Sequence, residues 1–315
     1  MEHLLIPMGD IGICHLLLGF AGGVLGACFA ALPAFAICGI FVLMGVALTF
    51  TGAGSLFLDN IAFGCIVGPQ TAFAGGVAAA AYAASRKYLD TGRDVCTALS
   101  GLNKPDVLLV GGLFGSLGVA LVWVFQTLLP FGWNGFHWTD SPGLTVFISA
   151  IIARLMFGKT GLLGKVPQGE NRWQPSIENS WLPQMFSGFQ ILVIGLSFGF
   201  LSSCLALIVG FDNGGIVVGF GLSAVTLFLM QAGFNIPVTH HITLIAAGAC
   251  AASGGSLLWG AIFGALAAFV GEYEGRLFLI FGDTHIDPPA MAIWSMWIVL
   301  VLSGSAGIFS AIPLP

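Results

Sequence analysis

Long apolar runs separated by short polar segments make up most of the chain. Runs of this length predict transmembrane helices, because the strands of a membrane barrel would be shorter and would alternate apolar with polar residues. The runs lie at about 11–31, 34–52, 69–85, 106–129, 143–158, 185–210, 214–232, 238–253, 255–271 and 289–312. The run at 255–271 either spans or dips in and returns. The pattern therefore predicts an all-α polytopic membrane protein with about 9–10 transmembrane helices.

The composition strengthens this prediction. Hydrophobic residues make up 57% of the chain and charged residues only 7%, whereas soluble domains carry about 25% charged residues. The 46 glycines favour close helix packing. Glycine-rich helix surfaces are also compatible with a homo-oligomer. Glycines four residues apart occur at Gly19/Gly23, Gly22/Gly26, Gly111/Gly115, Gly215/Gly219 and Gly260/Gly264.

The sequence lacks motifs for metal binding, nucleotide binding or catalysis. The 7 cysteines form no Cys-x-x-Cys pair, so neither a metal site nor another cofactor is predicted. The Gly-Lys-Thr at 158–160 lacks the rest of a phosphate-binding loop. No nucleophile–base pair is visible, so we do not expect an enzyme. The expected partners are the lipid bilayer and a small-molecule or ion substrate, not nucleic acid.

The 9 Lys and Arg residues predict the orientation. Four lie in 86–104, four in 154–172, and Arg276 lies apart. The positive-inside rule places the loops 86–104 and 159–182 in the cytoplasm and the N-terminus outside, in a multi-pass protein of the cytoplasmic (inner) membrane. The aromatic connection around Trp133 and Trp138 is then a hairpin outside. Trp181 is expected along the lipid headgroups, and the side of loop 272–287 stays open.

One phrase occurs twice in the chain. GPQTAFAGGVAAAAYAAS at 68–85 and IPVTHHITLIAAGACAAS at 236–253 share Pro-x-Thr and a closing Ala-Ala-Ser. Shorter matches flank them in the same order, including Gly23 with Gly199 upstream and Pro105 with Pro288 downstream. Four predicted spans separate the phrases, so the second copy runs in the opposite direction. The sequence predicts two inverted-topology repeats at 1–130 and 183–315, joined by a span and cytoplasmic loop at 131–182, as in many transporters.

Pro-x-Thr predicts a helix that starts afresh inside the membrane. Proline cannot continue a helix but suits its first turn, and a broken or re-entrant segment is tolerated where it lines a cavity. Two inverted starts would meet near the bilayer centre. The predicted substrate-binding residues are Pro69, Gln70, Thr71, Pro237, Thr239 and His240. The alternative is a pair of ordinary proline kinks.

Polar residues beside the two motifs are candidates for coupling or for the pathway. They are Asp59, Asn60, Gln231, Asn235 and His241. An acid at membrane depth suggests function, although Asp59 equally suits the outer interface. The adjacent histidines point in different directions on a helix, which argues against a shared metal. Each is either a titrating group in a cavity or a packing residue.

These observations favour a permease, that is, a secondary transporter, for a small polar or weakly charged solute. A passive solute or ion channel of the same architecture is the first alternative. A non-transporting membrane subunit of a larger complex is the second.

Overall fold

A computed structural model describes residues 11–129 and 131–314, and these are mostly helical. Its longer α-helices are α1 (Ile13–Phe29), α2 (Ala31–Phe50), α3 (Ala74–Ser85), α4 (Pro105–Leu128), α5 (Ser141–Phe157), α6 (Gly188–Val209), α7 (Gly215–Gln231), α8 (His240–Ala252), α9 (Leu257–Glu274) and α10 (Pro288–Ser305). A short helix, α11, covers Ile308–Ala311. Each longer helix coincides with an apolar run of the sequence.

Five helical stretches are long and apolar enough to cross a bilayer. They are Ala31–Phe50, Pro105–Leu128, Gly188–Val209, Leu257–Leu279 and Pro288–Ser305. Large apolar side chains such as Leu113, Phe189 and Ile208 are exposed on these or neighbouring helices, as expected for surfaces that face lipid. These features fit an all-α, multi-pass membrane protein.

The uncertain run at 255–271 is a full helix. α9 continues to Glu274 and then into one π-helical turn, Gly275–Leu279. The first part of the acidic segment 272–287 is therefore helical and not a loop. A π-turn absorbs one extra residue per turn and often lies near functional sites.

Two stretches interrupt the helical order at 63–68 and 232–239. After the first, a π-helical turn, Pro69–Phe73, leads directly into α3. After the second, α8 begins at His240 and not at Pro237, because Thr239 has φ −126°, outside the helical range. Pro69 therefore lies in the first turn of a helix, whereas Pro237 precedes one.

Glycine-lined contacts hold two helix pairs together. In the pair α1/α4, Gly19 and Gly23 lie against Gly111 and Gly115, close to their backbone atoms. In the pair α6/α9, a Cβ on Gly264 would lie 2.7 Å from the Cα of Gly199. Such contacts are possible only without side chains between the two backbones. The sequence pattern had singled out Gly19/Gly23, Gly111/Gly115 and Gly260/Gly264, but not Gly195 and Gly199 of α6, which also lie against α9.

Two further helix pairs are in contact, α2 with α7 and α5 with α10. α2 packs on α7, where a Cβ on Gly39 would lie 2.7 Å from the Cβ of Ala224. α5 packs on α10, with Gly143 against the carbonyl of Ala290. The first turns of α5 and α10 therefore lie beside each other.

The loops containing the basic residues meet at one end of the bundle, here named the basic end. Arg93 Nη1 donates to the Ile280 carbonyl at 2.9 Å, and Arg172 Nη1 donates to the Leu277 carbonyl at 2.8 Å. The segment 275–287 therefore lies at the same end as loops 86–104 and 158–187. All 9 Lys and Arg residues of the chain are in these segments or next to them.

The opposite end, here named the hairpin end, contains a small β-hairpin. β1 (Gly132–Trp133) pairs with β2 (Phe136–His137). Asn134 and Gly135 have φ of 48° and 85°, as a type I′ turn requires. Trp297 Nε1 donates to the His137 carbonyl at 3.1 Å and ties the hairpin to α10.

Candidate functional site

A central cavity of about 300 Å³ lies where several helices begin. α2 and α7 form its walls, with Phe35 and Phe220 among the lining residues. The remaining walls come from the starts of α3, α5, α8 and α10, which contribute Pro69, Asp140, Val238, His240 and Asp287. Four helix starts therefore converge on one cavity.

Two aspartates lie at the starts of α5 and α10 and line this cavity. Asp140 Oδ1 accepts from the amide of Gly143 at 2.6 Å, and Asp287 Oδ2 accepts from the amide of Ala290 at 2.8 Å. Both carboxylates are therefore N-caps, the role for which Asp is strongly preferred. The local sequences, Asp-Ser-Pro-Gly at 140–143 and Asp-Pro-Pro-Ala at 287–290, share Asp-x-Pro.

Two histidines also face the cavity. His285 Nε2 lies 3.1 Å from Asp287 Oδ1, so one imidazole is paired with one carboxylate. The ring of His240 lies 4.7 Å from the ring of Phe35 and 5.8 Å from that of Phe220. His240 is only 5% exposed, and its Nδ1 has no hydrogen-bond partner among the described residues. Its acceptor or donor capacity is unused by the surrounding protein.

The predicted binding residues divide into two groups. Pro69 and His240 line the cavity together. Gln70 is buried, and its Nε2 donates to the carbonyls of Phe63 and Gly64 at 2.5 and 3.1 Å.

The remaining three also lie outside the cavity lining. Thr71 is buried with its Oγ1 unpartnered among the described residues. Thr239 Oγ1 donates to Ser223 Oγ at 2.9 Å. Pro237 is half-buried, and its neighbour Val238 is the residue that lines the cavity.

The predicted pathway residues are dispersed. Asp59 is exposed and Asn60 half-buried in the π-turn Leu58–Ala62. Gln231 and Asn235 are exposed near the basic end, where Gln231 Nε2 donates to the Cys96 carbonyl at 2.9 Å. His241 is fully buried behind the cavity, with its ring 6.3 Å from that of Trp181.

A second cavity, of about 540 Å³, lies at the hairpin end. It shares Asp140, Pro142, Ile216 and Trp297 with the central cavity. Toward the other end, the central cavity is lined by the exposed residue Cys96. The two cavities therefore share a wall that includes Asp140, and the lining of the central cavity reaches from the hairpin end toward the basic end.

Arg154 and Asp283 form a hydrogen-bonded cluster at the basic end, here named the latch, which positions Asp287. The buried Arg154 of α5 donates to Thr284 Oγ1 and to the Leu162 carbonyl, both at 2.9 Å, and also to the carbonyls of Phe278 and Thr284. Asp283 accepts from the amide of Lys159 at 2.6 Å and from the hydroxyl of Thr160 at 2.7 Å. These bonds fix the segment that leads into His285 and Asp287.

Sequence reasoning did not assign Asp140, Asp287, His285 or Trp181 to a site, although all of them line the cavity. Asp140 and Asp287 were hidden because each acid lies in a short connection that reads as an ordinary helix start. His285 lies in the segment 272–287, whose side could not be assigned. Trp181, expected along the headgroups, lines the cavity instead. The repeated Asp-x-Pro was the available signal, since it places the same cap before two helices.

The chain belongs to a family of unknown function, DUF7973, whose model matches residues 7–175 and 164–314. No curated protein and no solved structure matches the chain.

Proposed function

We propose that this member of the family is a permease, a secondary transporter that moves a small polar or weakly charged solute through the central cavity. The observation that carries the proposal is the convergence of four helix starts on a cavity that extends toward both ends of the bundle. Broken or freshly started helices around a central site are the usual construction of such transporters.

The helix packing supports a duplicated architecture. α1 packs on α3 and α4, as α6 packs on α8 and α9, while α2 packs on α7 and α5 on α10. We infer two halves of five helices, α1–α5 and α6–α10. The two stretches matched by the family model meet at 164–175, in the loop between α5 and α6. On this proposal α5 belongs to the first repeat and not to a linker, and the counterpart of Pro288 lies in α5 and not at Pro105.

The directions of the helices support inversion of the second half. α3 ends at Ser85, beside the basic loop 86–104, whereas Ala251 at the end of α8 lines the cavity at the hairpin end. Likewise, Arg154 near the end of α5 lies at the basic end, whereas Gly304 of α10 lies against Trp133 of the hairpin. On this proposal, corresponding helices approach the central cavity from opposite ends, as in inverted-repeat transporters.

Charge supports an orientation in the cytoplasmic membrane. All 9 basic residues are at or near the basic end, which the positive-inside rule places in the cytoplasm. The hairpin end then faces outside and gives entry to Asp140.

Aqueous access to the cavity is the first test. In a background without native cysteines, single cysteines replace the cavity residues Val146 and Val238, with Val107, fully buried away from the cavity, as the control. Sealed vesicles of each orientation are treated with a membrane-impermeant thiol reagent. We expect Val146→Cys and Val238→Cys to react from at least one side and Val107→Cys from neither.

Failure of both cavity positions to react from either side would contradict the proposal and favour a non-transporting subunit. Flux into proteoliposomes then separates the permease from a passive channel. Carrier flux saturates and shows counterflow between labelled and unlabelled solute, whereas channel flux does neither.

A further inference from the structure

We propose that the solute held in the central cavity is a small organic ammonium ion with an apolar body, bound by Asp140 and Asp287 against an aromatic wall. This inference rests on the proposed function, because it names the class of solute that the same cavity accepts.

The side chains that face the cavity indicate the sign of the charge on the solute. Asp140 and Asp287 line it, and among its described lining residues none is Lys or Arg. The hydrogen bond that Asp140 makes within the described residues uses Oδ1, which accepts from the Gly143 amide. Both aspartates are half-buried, and a carboxylate at membrane depth favours a partner of opposite charge. A cation supplies that partner, whereas an anion would meet two carboxylates.

Helix starts alone would favour an anion, since their free amides carry partial positive charge. In α5 and α10, however, the protein's own carboxylates already accept first-turn amides, those of Gly143 and Ala290. The positive ends of these two helices are therefore compensated. At these two starts, what remains for a ligand is Oδ2 of Asp140 and the lone pairs of Asp287 that His285 and the Ala290 amide leave free.

The walls favour an organic cation over a metal ion. Phe35, Phe73, Phe220, Trp181 and Trp297 line the cavity, and aromatic faces attract ammonium groups through cation–π interactions. Among the described residues, no group of three or more His, Cys, Asp or Glu is placed to hold a metal ion. An apolar body of small-molecule size suits the remaining lining.

His240 supplies a second polar contact. Its ring lines the cavity, and the residue is 5% exposed. A neutral imidazole offers one acceptor nitrogen, which an ammonium N–H can use.

Calorimetric binding to the purified full-length protein in detergent tests this inference. The probes are benzylammonium and tetramethylammonium, with benzoate and benzyl alcohol as matched controls that keep the ring and change the headgroup. We expect both ammonium ions to bind and the two controls to bind at least about tenfold more weakly, since hydrogen bonds to charged groups are among the stronger ones. Failure of both ammonium ions to bind, or equal binding of benzoate, would overturn the inference.

The variants Asp140→Asn and Asp287→Asn remove the charges but keep the helix caps, because Asn caps as well as Asp. Each should weaken ammonium binding about tenfold or more. Asp90→Asn, an exposed acid that lines neither cavity, should leave it unchanged. Ammonium binding that survives both Asp140→Asn and Asp287→Asn would rule out the carboxylates as the binding groups.

A second measurement uses the native protein and does not depend on folding of variants. Cys96 is exposed and lines the cavity, whereas the exposed Cys14 lies outside it. Benzylammonium should slow the modification of Cys96 by a thiol reagent and leave that of Cys14 unchanged, as followed by peptide mass spectrometry. Protection by benzoate and not by benzylammonium would contradict the inference.

Failure of the inference and failure of the proposed function give different results. If ammonium ions bind through both aspartates but no ammonium ion is transported, the inferred solute class holds and the proposed transport function fails. If an anion or a neutral solute is transported and a label at Val238→Cys blocks that flux, the transport function holds and the inferred solute class fails.

Discussion

Arg154 shows how one side chain can organise the approach to a site that it does not touch. It is 1% exposed, and its guanidinium group donates to acceptors in two separate segments, around Leu162 and around Thr284. A buried arginine is tolerated because each of its bonds reaches a backbone carbonyl or a hydroxyl. Its effect reaches the cavity through Thr284, which immediately precedes His285.

Replacing Arg154 should destabilise the protein strongly. Arg154→Gln has the length to reach one acceptor but leaves the others unpaired, and each buried acceptor without a donor costs about 1–3 kcal/mol. We expect a clear fall in the thermal unfolding midpoint in detergent, followed by tryptophan fluorescence. Arg86→Gln, at an exposed position, is the matched control. Equal midpoints for both variants would show that the latch is not needed for stability.

Asp283 should make the latch sensitive to acid. Burial raises the pKa of Asp283, but the Lys159 amide, the Thr160 hydroxyl and the positive charge of Arg154 together hold it below its usual value of 3.8. A carboxyl group whose pKa is depressed in the folded state stabilises the fold above its unfolded pKa. That contribution is lost as the pH falls through the folded value.

We therefore expect the stability difference between the native protein and Asp283→Asn to be largest near neutral pH and to shrink below about pH 4. Thermal unfolding midpoints across a pH series measure it, with Asp90→Asn as the exposed control. A difference that stays constant down to the lowest pH would contradict the assigned role of the carboxylate.

At the scale of helices, most of the fold was predictable because apolar runs of membrane length leave little choice of structure. Helix ends agree with the sequence pattern to within about two residues for α4, α5 and α7. The central site was predictable only in part. Pro69 and His240 carry a local signal, a proline and a polar residue in an apolar run. The convergence of Asp140 and Asp287 depends on how α5 and α10 cross, which no local pattern records.

The glycine contacts between helices make a prediction at this scale. In Gly23→Ala and Gly264→Ala the added methyl groups would overlap backbone atoms of α4 and α6, respectively. Overpacking of this kind costs about 1–3 kcal/mol. Both variants should lower the unfolding midpoint in detergent. Gly101→Ala, where no atom lies within 4 Å of the added carbon, should not. Unchanged midpoints in both helix variants would mean that the backbones move apart at little cost.

At the scale of the whole molecule, charge is distributed between the two ends. The 9 basic residues at or near one end, with none in the hairpin region, predict a fixed orientation. The contacts of Arg93 and Arg172 with the segment 275–287 also assign that segment to the basic end, which sequence alone left open.

Single cysteines report this orientation in intact cells. In a background without native cysteines, His137→Cys of the hairpin should react with an impermeant thiol reagent directly, and Ala98→Cys of the basic loop only after permeabilisation. Both positions are exposed. The reverse pattern would invert the assigned orientation and leave the fold unaffected.

The glycine-lined pairs have a mechanical consequence. Where two backbones touch without side chains between them, no change of rotamer can absorb sliding, so α1 with α4 and α6 with α9 each behave as a solid block. Shear has to be taken up where larger side chains meet, as around Phe35, Phe220 and Trp297 at the centre. We therefore expect motion at the surfaces that line the central cavity, between the two rigid helix pairs.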